Sequence, residues 1–348
     1  MKIVDREDRK ALISRDYNFV LNKKNGMFVR WGRELQDDPQ FSPFGPEILD
    51  LEISSGGDCL GNCPFCYKCN GGDQPTHNMT FQEFKTIFDK MPKTLTQIAF
   101  GIMNIKTNPD FFKMMTYALK NGVIPNYTCH GLDVTPEIAE RTSKLCGAVA
   151  VSLLNKKKTY NAIKLFTGFG MEQVNIHYML SEETYDKAFE IVDDLASDPE
   201  LKNFNAIVFL QYKSKGRSPD DFTSVLDVEK YKRLTEYCKA RNIRYGFDSC
   251  SASMFIDSLE GQADKRITEL FVEPCESGLF SSYINCHGEF FVCSFAEGED
   301  EWMKGLDVLH CDDFMKDIWN HPRLVAWRKR LIENKRECPI YDLSLEKA

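Results

Sequence analysis

No apolar run in this chain approaches the ~20 residues that a membrane-spanning helix needs; the longest, such as residues 206–210, are a fraction of that. A signal-peptide core is missing as well, because residues 1–16 are rich in charge. Positive charge is not in excess. Lys and Arg number 44 against 52 Asp and Glu, a net −8, and a chain of that sign has no bulk attraction for a phosphate backbone or an anionic membrane. Neither nucleic acid nor membrane is expected as a partner. There is no internal repeat and no low-complexity tract. These absences point to a soluble, cytoplasmic protein, and without export disulfides are not expected.

What is present is a globular composition and many thiols. With 348 residues, 43% hydrophobic, the chain can bury a large core, as one domain with an appendage or as two. Thirteen cysteines must be buried thiols or metal ligands. Cys129, Cys146 and Cys238 lie in apolar or helical stretches and read as small buried hydrophobes. The others cluster in glycine-rich and aromatic loops, where that reading is poor.

Residues 1–46 mix charges, aromatics and an Asn25-Gly26 turn, and read as a hairpin-bearing lead-in. From residue 48 the pattern becomes regular. Apolar or β-branched runs at 48–54, 96–101, 124–129, 148–153, 173–179, 206–211 and 244–247 read as strands. Helical periodicity fills 80–90, 109–120, 136–146, 159–167, 182–195 and 228–241. Thr80 with Glu83, and Thr135 before Pro136, are helix-start signals. Successive βα units require right-handed crossovers and a parallel sheet, so the expected fold is α/β, a partial (βα)6-type parallel barrel over residues 47–254. The alternation stops there, and 255–348 reads as a small α+β segment with late helices near 314–319 and 323–334. Residues 213–219, with Lys213, Lys215 and Arg217, read as a solvated loop.

In parallel sheets the loops after the carboxyl ends of the strands carry the chemistry. The first such loop holds Cys59, Cys63 and Cys66, spaced Cys-x3-Cys-x2-Cys, with Phe65 before the last thiol and Tyr67 after it. Zinc would want a fourth ligand, for which Cys69 is available, but a tetrahedron is hard to close with four thiolates inside eleven residues. Three thiolates on an iron–sulfur cubane leave one iron free to chelate a small molecule.

With that motif after the first strand of a βα barrel, the chain resembles the radical S-adenosylmethionine enzymes. The resemblance implies that Cys59, Cys63 and Cys66 hold a 4Fe-4S cluster, and that S-adenosylmethionine binds its open iron. Reduction there yields a 5′-deoxyadenosyl radical that abstracts hydrogen, the protein orienting the cofactor and tuning it. A one-electron donor such as flavodoxin or ferredoxin is then implied. The family's Gly-Gly-Glu element after the second strand is reduced here to Gly101. Ser152, at the end of the fourth strand, resembles the family's polar residue near the ribose. Asn175 and His177 share one face of the fifth strand with Met179, and that face is expected to line the barrel interior.

Farther on, Cys275, Gly288 and Cys293 follow Cys-x12-Gly-x4-Cys, with a hairpin turning at Gly288. This resembles the opening of the SPASM and twitch extensions, which bind auxiliary 4Fe-4S clusters. The full SPASM continuation is missing, so the resemblance implies the twitch form with one auxiliary cluster. Its expected ligands are Cys275, Cys293, Cys338 and Cys311, while Cys286 sits at the closed end of the hairpin, too far along the strands to join them. Asp248 and Cys250, ending the last predicted strand, face the same mouth as the cysteine loop. Asp248 is a candidate base for a substrate radical, and Cys250 a candidate radical carrier or ligand. His287, Tyr283 and Asp50 are available without further distinction.

Relatives with such extensions modify ribosomally made peptides or oxidise small molecules. A peptide or protein substrate is the first expectation, recognised at the barrel mouth or through a separate partner, because the lead-in is too short for a leader-peptide reader. The alternatives are twitch-type oxidation of a small molecule and, outside enzymes, a metal-binding module.

Overall fold

The computed structural model describes residues 1–341 and 343. The lead-in is an antiparallel sheet of four strands in sequence order: β1 (Lys2–Asp5), β2 (Arg9–Ile13), β3 (Asn18–Asn22) and β4 (Phe28–Trp31). Gly26, at φ +75°, takes the left-handed conformation that the turn into β4 requires. Among the described residues no helix is long and apolar enough to cross a membrane.

The chain then alternates. Strand β5 (Ile48–Glu52) is followed by a short ribbon, β6 (Ser54–Ser55) with β7 (His77–Asn78), and then α1 (Phe81–Lys90). Five further pairs follow: β8 (Gln97–Gly101) with α2 (Phe111–Lys120), β9 (Ile124–Cys129) with α3 (Pro136–Leu145), β10 (Val149–Ser152) with α4 (Lys156–Gly168), β11 (Val174–Leu180) with α5 (Tyr185–Ser197), and β12 (Ala206–Gln211) with α6 (Val228–Ala240). Strand β13 (Tyr245–Phe247) closes the series. Every neighbouring pair among these seven strands is parallel. The α/β partial barrel expected from periodicity is the observed fold.

Start signals act as physical caps. The Thr80 hydroxyl accepts from Glu83 N, and the Glu83 carboxylate accepts from Thr80 N in return. Thr135 caps α3 ahead of Pro136. Two helix starts differ from expectation for local reasons. Asn155 caps α4 by accepting from Lys158 N, adding a turn in front of residue 159. Residues 181–184 instead close a turn in which Thr184 Oγ1 accepts from Ser181 N and donates to Met179 O, so α5 begins late.

The chain ends in α7 (Ala252–Ser258), α8 (Lys265–Glu269), β14 (Ser281–Ile284), β15 (Glu289–Phe291), β16 (Leu306–Asp307), a π-helical segment Phe314–Trp319 and α9 (Pro322–Glu333). Strand β14 lies parallel to β5, Ser281 opposite Ile48 and Ile284 opposite Leu51. The large sheet therefore runs β13-β12-β11-β10-β9-β8-β5-β14-β15-β16, and the C-terminal hairpin is an extension of the barrel sheet.

Burial alternates along the barrel strands. Ile98, Phe100, Tyr127, Ile176, Tyr178, Ile207 and Phe209 are buried against the helices, whereas Ala99, Thr128, Asn175, His177, Met179 and Val208 between them are only half-buried. A filled barrel would bury both faces. Here the inner face lines an open lumen.

The lead-in sheet is pinned to the rest by a buried charge network. Arg30 on β4 places Nη1 2.7 Å from Glu47 Oε2 and Nη2 3.0 Å from Glu273 Oε1, with its guanidinium 3.4 Å over the Phe280 ring. Tyr17 also donates to Glu47. Breaking such a pair on one side leaves a charge buried without its partner, a loss of about 3–5 kcal/mol. Arg30→Ala should accordingly lower the anaerobic unfolding midpoint sharply; an unchanged midpoint would show that the network contributes nothing.

Candidate functional site

The cysteine loop leaves the barrel at β6 and returns at β7, which pair through Ser55 opposite His77. Cys59, Cys63 and Cys66 stay partly exposed within it. A Cβ built on Gly61 would sit 3.5 Å from the sulfurs of both Cys59 and Cys63, so this glycine keeps open the space between two thiols. Burial, then the thiols of Cys66 and Cys59, pushes Cys63 up to about 12. Among the described residues, however, the three sulfurs do not close to the 4.8 Å that donors to one ion would keep. Spread around a common space, they suit a polynuclear iron–sulfur core better than a lone zinc, whose thiolates would stand about 4 Å apart. Cys69 is exposed.

Two elements clamp this loop. From the turn after β8, Asn104 donates to Asp58 O at 2.6 Å and accepts from Leu60 N at 2.9 Å, holding the residues on both sides of Cys59. From the segment after β12, Arg217 donates to Cys63 O at 3.0 Å, Asn62 Oδ1 at 2.6 Å and Asn70 O at 2.7 Å, and its backbone N donates to Cys66 O at 3.0 Å. Residues 213–219, expected as a solvated loop, are thus a clasp over the cysteines. The reason is positional: they follow a barrel strand at its carboxyl end, where the cysteine loop also lies.

Gly216 makes the approach possible. At φ +81° a Cβ there would lie 2.4 Å from Cys66 O and 2.5 Å from Tyr67 Cα. Gly216→Ala should therefore lift the clasp and lower iron retention at these cysteines by up to about four irons per chain, with Gly168→Ala, which meets open space, unchanged. Equal iron in the two variants, measured after anaerobic gel filtration, would contradict this.

The aromatics beside the thiols are built into the packing. Phe65 meets Phe222 edge-on at 5.8 Å, and Tyr67 stacks on Phe295 at 4.3 Å. Lys68 reaches across to β14, donating to Tyr283 OH at 3.0 Å and pairing with Glu52 at 3.2 Å and with Glu297.

In the lumen, Gly101 ends β8 opposite Glu52, and Ser152 ends β10 opposite His177. Burial lowers His177 to about 4, against the opposing pull of Asp248, so the ring is neutral at ordinary pH. Asp50 points into the same space, enclosed by protein though reached by solvent, and burial raises it to about 6. Asn175 lies one alternation below His177, toward the amino ends of the strands, where its Oδ1 accepts from Asn205 at 2.8 Å.

A second thiol group forms where β13 ends. Burial, then the Cys293 thiol and more weakly that of Cys338, raises Cys275 to about 12. Cys250 is raised by burial, with the Cys275 and Cys293 thiols adding to it. Cys250, Cys275 and Cys338 line one cavity of about 110 Å³. Arg336 ties the two ends of this group, donating to Cys275 O at 2.9 Å and Pro274 O at 2.7 Å. The structure therefore brings together Cys250, Cys275, Cys293 and Cys338.

Cys311 is elsewhere: its thiol donates to Val308 O at 3.3 Å, and its charged neighbours are Lys90, Asp317, Asp307 and Asp312. Asp248 accepts from the Ser251 hydroxyl at 2.6 Å and pairs with buried Lys213 at 3.3 Å. Cys129 and Cys238 are buried, and the Cys146 thiol donates to Ala148 O at 3.0 Å.

No protein-family profile matches the chain, and no curated protein matches its sequence. Solved structures do match. Streptococcus suis SuiB bound to precursor peptide SuiA superposes with TM-score 0.70 at 13% identity, over 94% of this chain and 90% of that one. The chain has the fold of SuiB. SuiB bound to S-adenosylmethionine gives 0.68 at 12% identity over the same shares. The anSMEcpe structure with bound AdoMet and Cp18Cys peptide gives 0.59 at 13% identity, over 84% of this chain and 86% of that one. The 6% of the chain outside the SuiB match is shorter than the lead-in, the barrel or the C-terminal segment, so each belongs at least in part to the shared SuiB fold.

Proposed function

We propose that the chain is a radical S-adenosylmethionine enzyme that modifies a ribosomally made peptide or protein. The observation that carries this reading is the convergence of Cys59, Cys63 and Cys66 at the carboxyl mouth of a half-open lumen, in a fold shared with proteins crystallised with S-adenosylmethionine and with peptides. Cys59, Cys63 and Cys66 would hold a 4Fe-4S cluster, which with bound S-adenosylmethionine would supply 5′-deoxyadenosyl radical chemistry on one-electron reduction by a flavodoxin- or ferredoxin-type donor.

The chain's own residues hold and shield that chemistry. Asn104 and Arg217 fix the loop backbone. Gly101 and Ser152, at strand ends, border the space for the nucleoside and methionyl groups. Neutral His177 offers a hydrogen bond without bringing charge into the lumen, and Asp50 and Asp248 are the carboxylates placed to hold or accept a proton there. Cys250, Cys275, Cys293 and Cys338 supply four thiolates for one auxiliary 4Fe-4S cluster. In this arrangement Cys250 is a ligand, and Lys213, against Asp248 and beside Cys250, offsets the negative charge of the thiolates.

The test is anaerobic turnover with a strong one-electron reductant, measuring 5′-deoxyadenosine and the mass of peptides encoded beside the gene. Formation of 5′-deoxyadenosine with a peptide mass change supports the reading. Iron-loaded protein that leaves S-adenosylmethionine intact overturns it, and cleavage coupled only to small-molecule oxidation overturns the peptide assignment.

A further inference from the structure

Outside both cysteine groups lies a cluster of metal-binding side chains for which the proposed reaction has no use. His77 on β7, and Cys286 and His287 in the turn between β14 and β15, each bring one donor atom to within 4.8 Å of the other two. Two pieces of topology cause this. Because β14 runs parallel on β5, its turn arrives at the carboxyl end of β5. There the β6–β7 ribbon begins, with His77 opposite Ser55. The turn itself is firm: Asn285 Oδ1 accepts from His287 N at 3.1 Å and Glu289 N at 3.0 Å, and Gly288 adopts φ +77°.

The two imidazoles stack at 4.3 Å with 30° between planes. His77 Nε2 lies 3.1 Å from Cys286 O; when it carries the ring proton it donates to that carbonyl and leaves the Nδ1 lone pair free, the backing that metal-bound histidines have. Cys286 is 2% exposed, and the carboxylate of Glu52 accepts from its backbone N at 3.3 Å. Glu83, the carboxylate that closes the α1 cap, lies close enough to be influenced by both His77 and His287.

We propose that His77, Cys286 and His287 form a third metal site, for a single divalent ion of the zinc class, which pins the base of the cysteine loop to the C-terminal hairpin. Zinc holds imidazole nitrogen at about 2.0–2.1 Å and thiolate sulfur at about 2.3 Å, so donors on a tetrahedron stand about 3.3–3.6 Å apart. Small side-chain rotations reach that from the present spacing. Two nitrogens and one sulfur suit zinc, and they are the wrong set for an iron–sulfur cubane. Glu83 supplies nearby negative charge that a dication favours, and a water completes four-coordination. The ion would join residues 209 positions apart, at the root of the ribbon from which Cys59, Cys63 and Cys66 emerge.

The experiment uses the anaerobically reconstituted holoenzyme, dialysed against zinc chloride and then analysed for zinc and iron, with X-ray absorption at the zinc edge. One zinc per chain, iron unchanged, and a shell of one sulfur with two imidazole nitrogens is expected. His77→Ala and Cys286→Ser should each weaken zinc binding by about 100-fold or more, and Glu83→Gln by about tenfold, with iron content retained in all. His287→Gln, at an exposed position, is the variant in which folding is least disturbed, and it should lose zinc equally. Wild-type protein that retains no zinc, a sulfur-only shell that places zinc at the iron–sulfur cysteines, or undiminished zinc in His287→Gln would each overturn the site. Because iron is read in parallel, failure here is separate from failure of the radical chemistry.

Discussion

Replacing Cys59, Cys63 and Cys66 together by Ala will abolish reductive cleavage of S-adenosylmethionine and remove about four of about eight irons per chain. On the proposed reading the three thiolates would be the means by which the loop retains iron, and the loop itself has other supports. Asn104 holds Asp58 O and Leu60 N, Arg217 holds Cys63 O and Asn70 O, and Tyr67 stacks on Phe295. None of these contacts uses a sulfur, so the variant should fold and keep the second group of cysteines, which is built from the segments after β13, before β14, after β15 and after α9. The expected result is a protein with near-wild-type thermal unfolding, half the iron, and no 5′-deoxyadenosine above the reductant-only control. Cleavage retained in this variant would remove the basis of the assignment.

Cys250→Ala should cost the second cluster, up to about four irons, while Cys311→Ala leaves iron unchanged. The spacing of the sequence favours Cys311 as the fourth ligand; the fold favours Cys250. Cys250 follows β13, beside the cavity that Cys275 and Cys338 line, and its thiol is raised by the charges of Cys275 and Cys293. Cys311 is engaged with Val308 O, among Lys90, Asp317, Asp307 and Asp312. Measuring iron in the triple variant with each change added isolates the second cluster. If Cys311→Ala empties it while Cys250→Ala does not, the four-thiol group described here is not its ligand set.

Lys213 makes the Cys250 position informative in a second way. Its side chain is 3% exposed, and its ammonium pairs with Asp248 at 3.3 Å and lies 4.3 Å over the Phe295 ring. A buried cation beside one thiol of the four is an electrostatic asymmetry that the other three lack. This arrangement gives residues 213–217 two jobs, one at each thiol group, which explains why the segment is held rather than solvated.

The parts of this protein that could be read from the chain alone are those governed by spacing along it. A helix repeats every 3.6 residues and a strand every two, so the alternation of Asn175, His177 and Met179 with Ile176 and Tyr178 reveals both the strand and its lumen face. Three thiols within eight residues announce themselves in the same way, as do Thr80 with Glu83 at the start of α1. What the tertiary structure decided are contacts between positions that have no fixed distance along the sequence. Arg217 meets Cys63 across 154 residues, and His77 meets Cys286 across 209. Asn104 reaches Asp58 and Leu60 only because two neighbouring strands end side by side. Cys250 and Cys311 both flank the cysteines of the hairpin in sequence, and only the tertiary structure determines that the end of β13 lies near them and the segment after β16 does not. Periodicity is set by the backbone of each element, whereas which ends converge is set by how the sheet curves and closes, a property of all ten strands together.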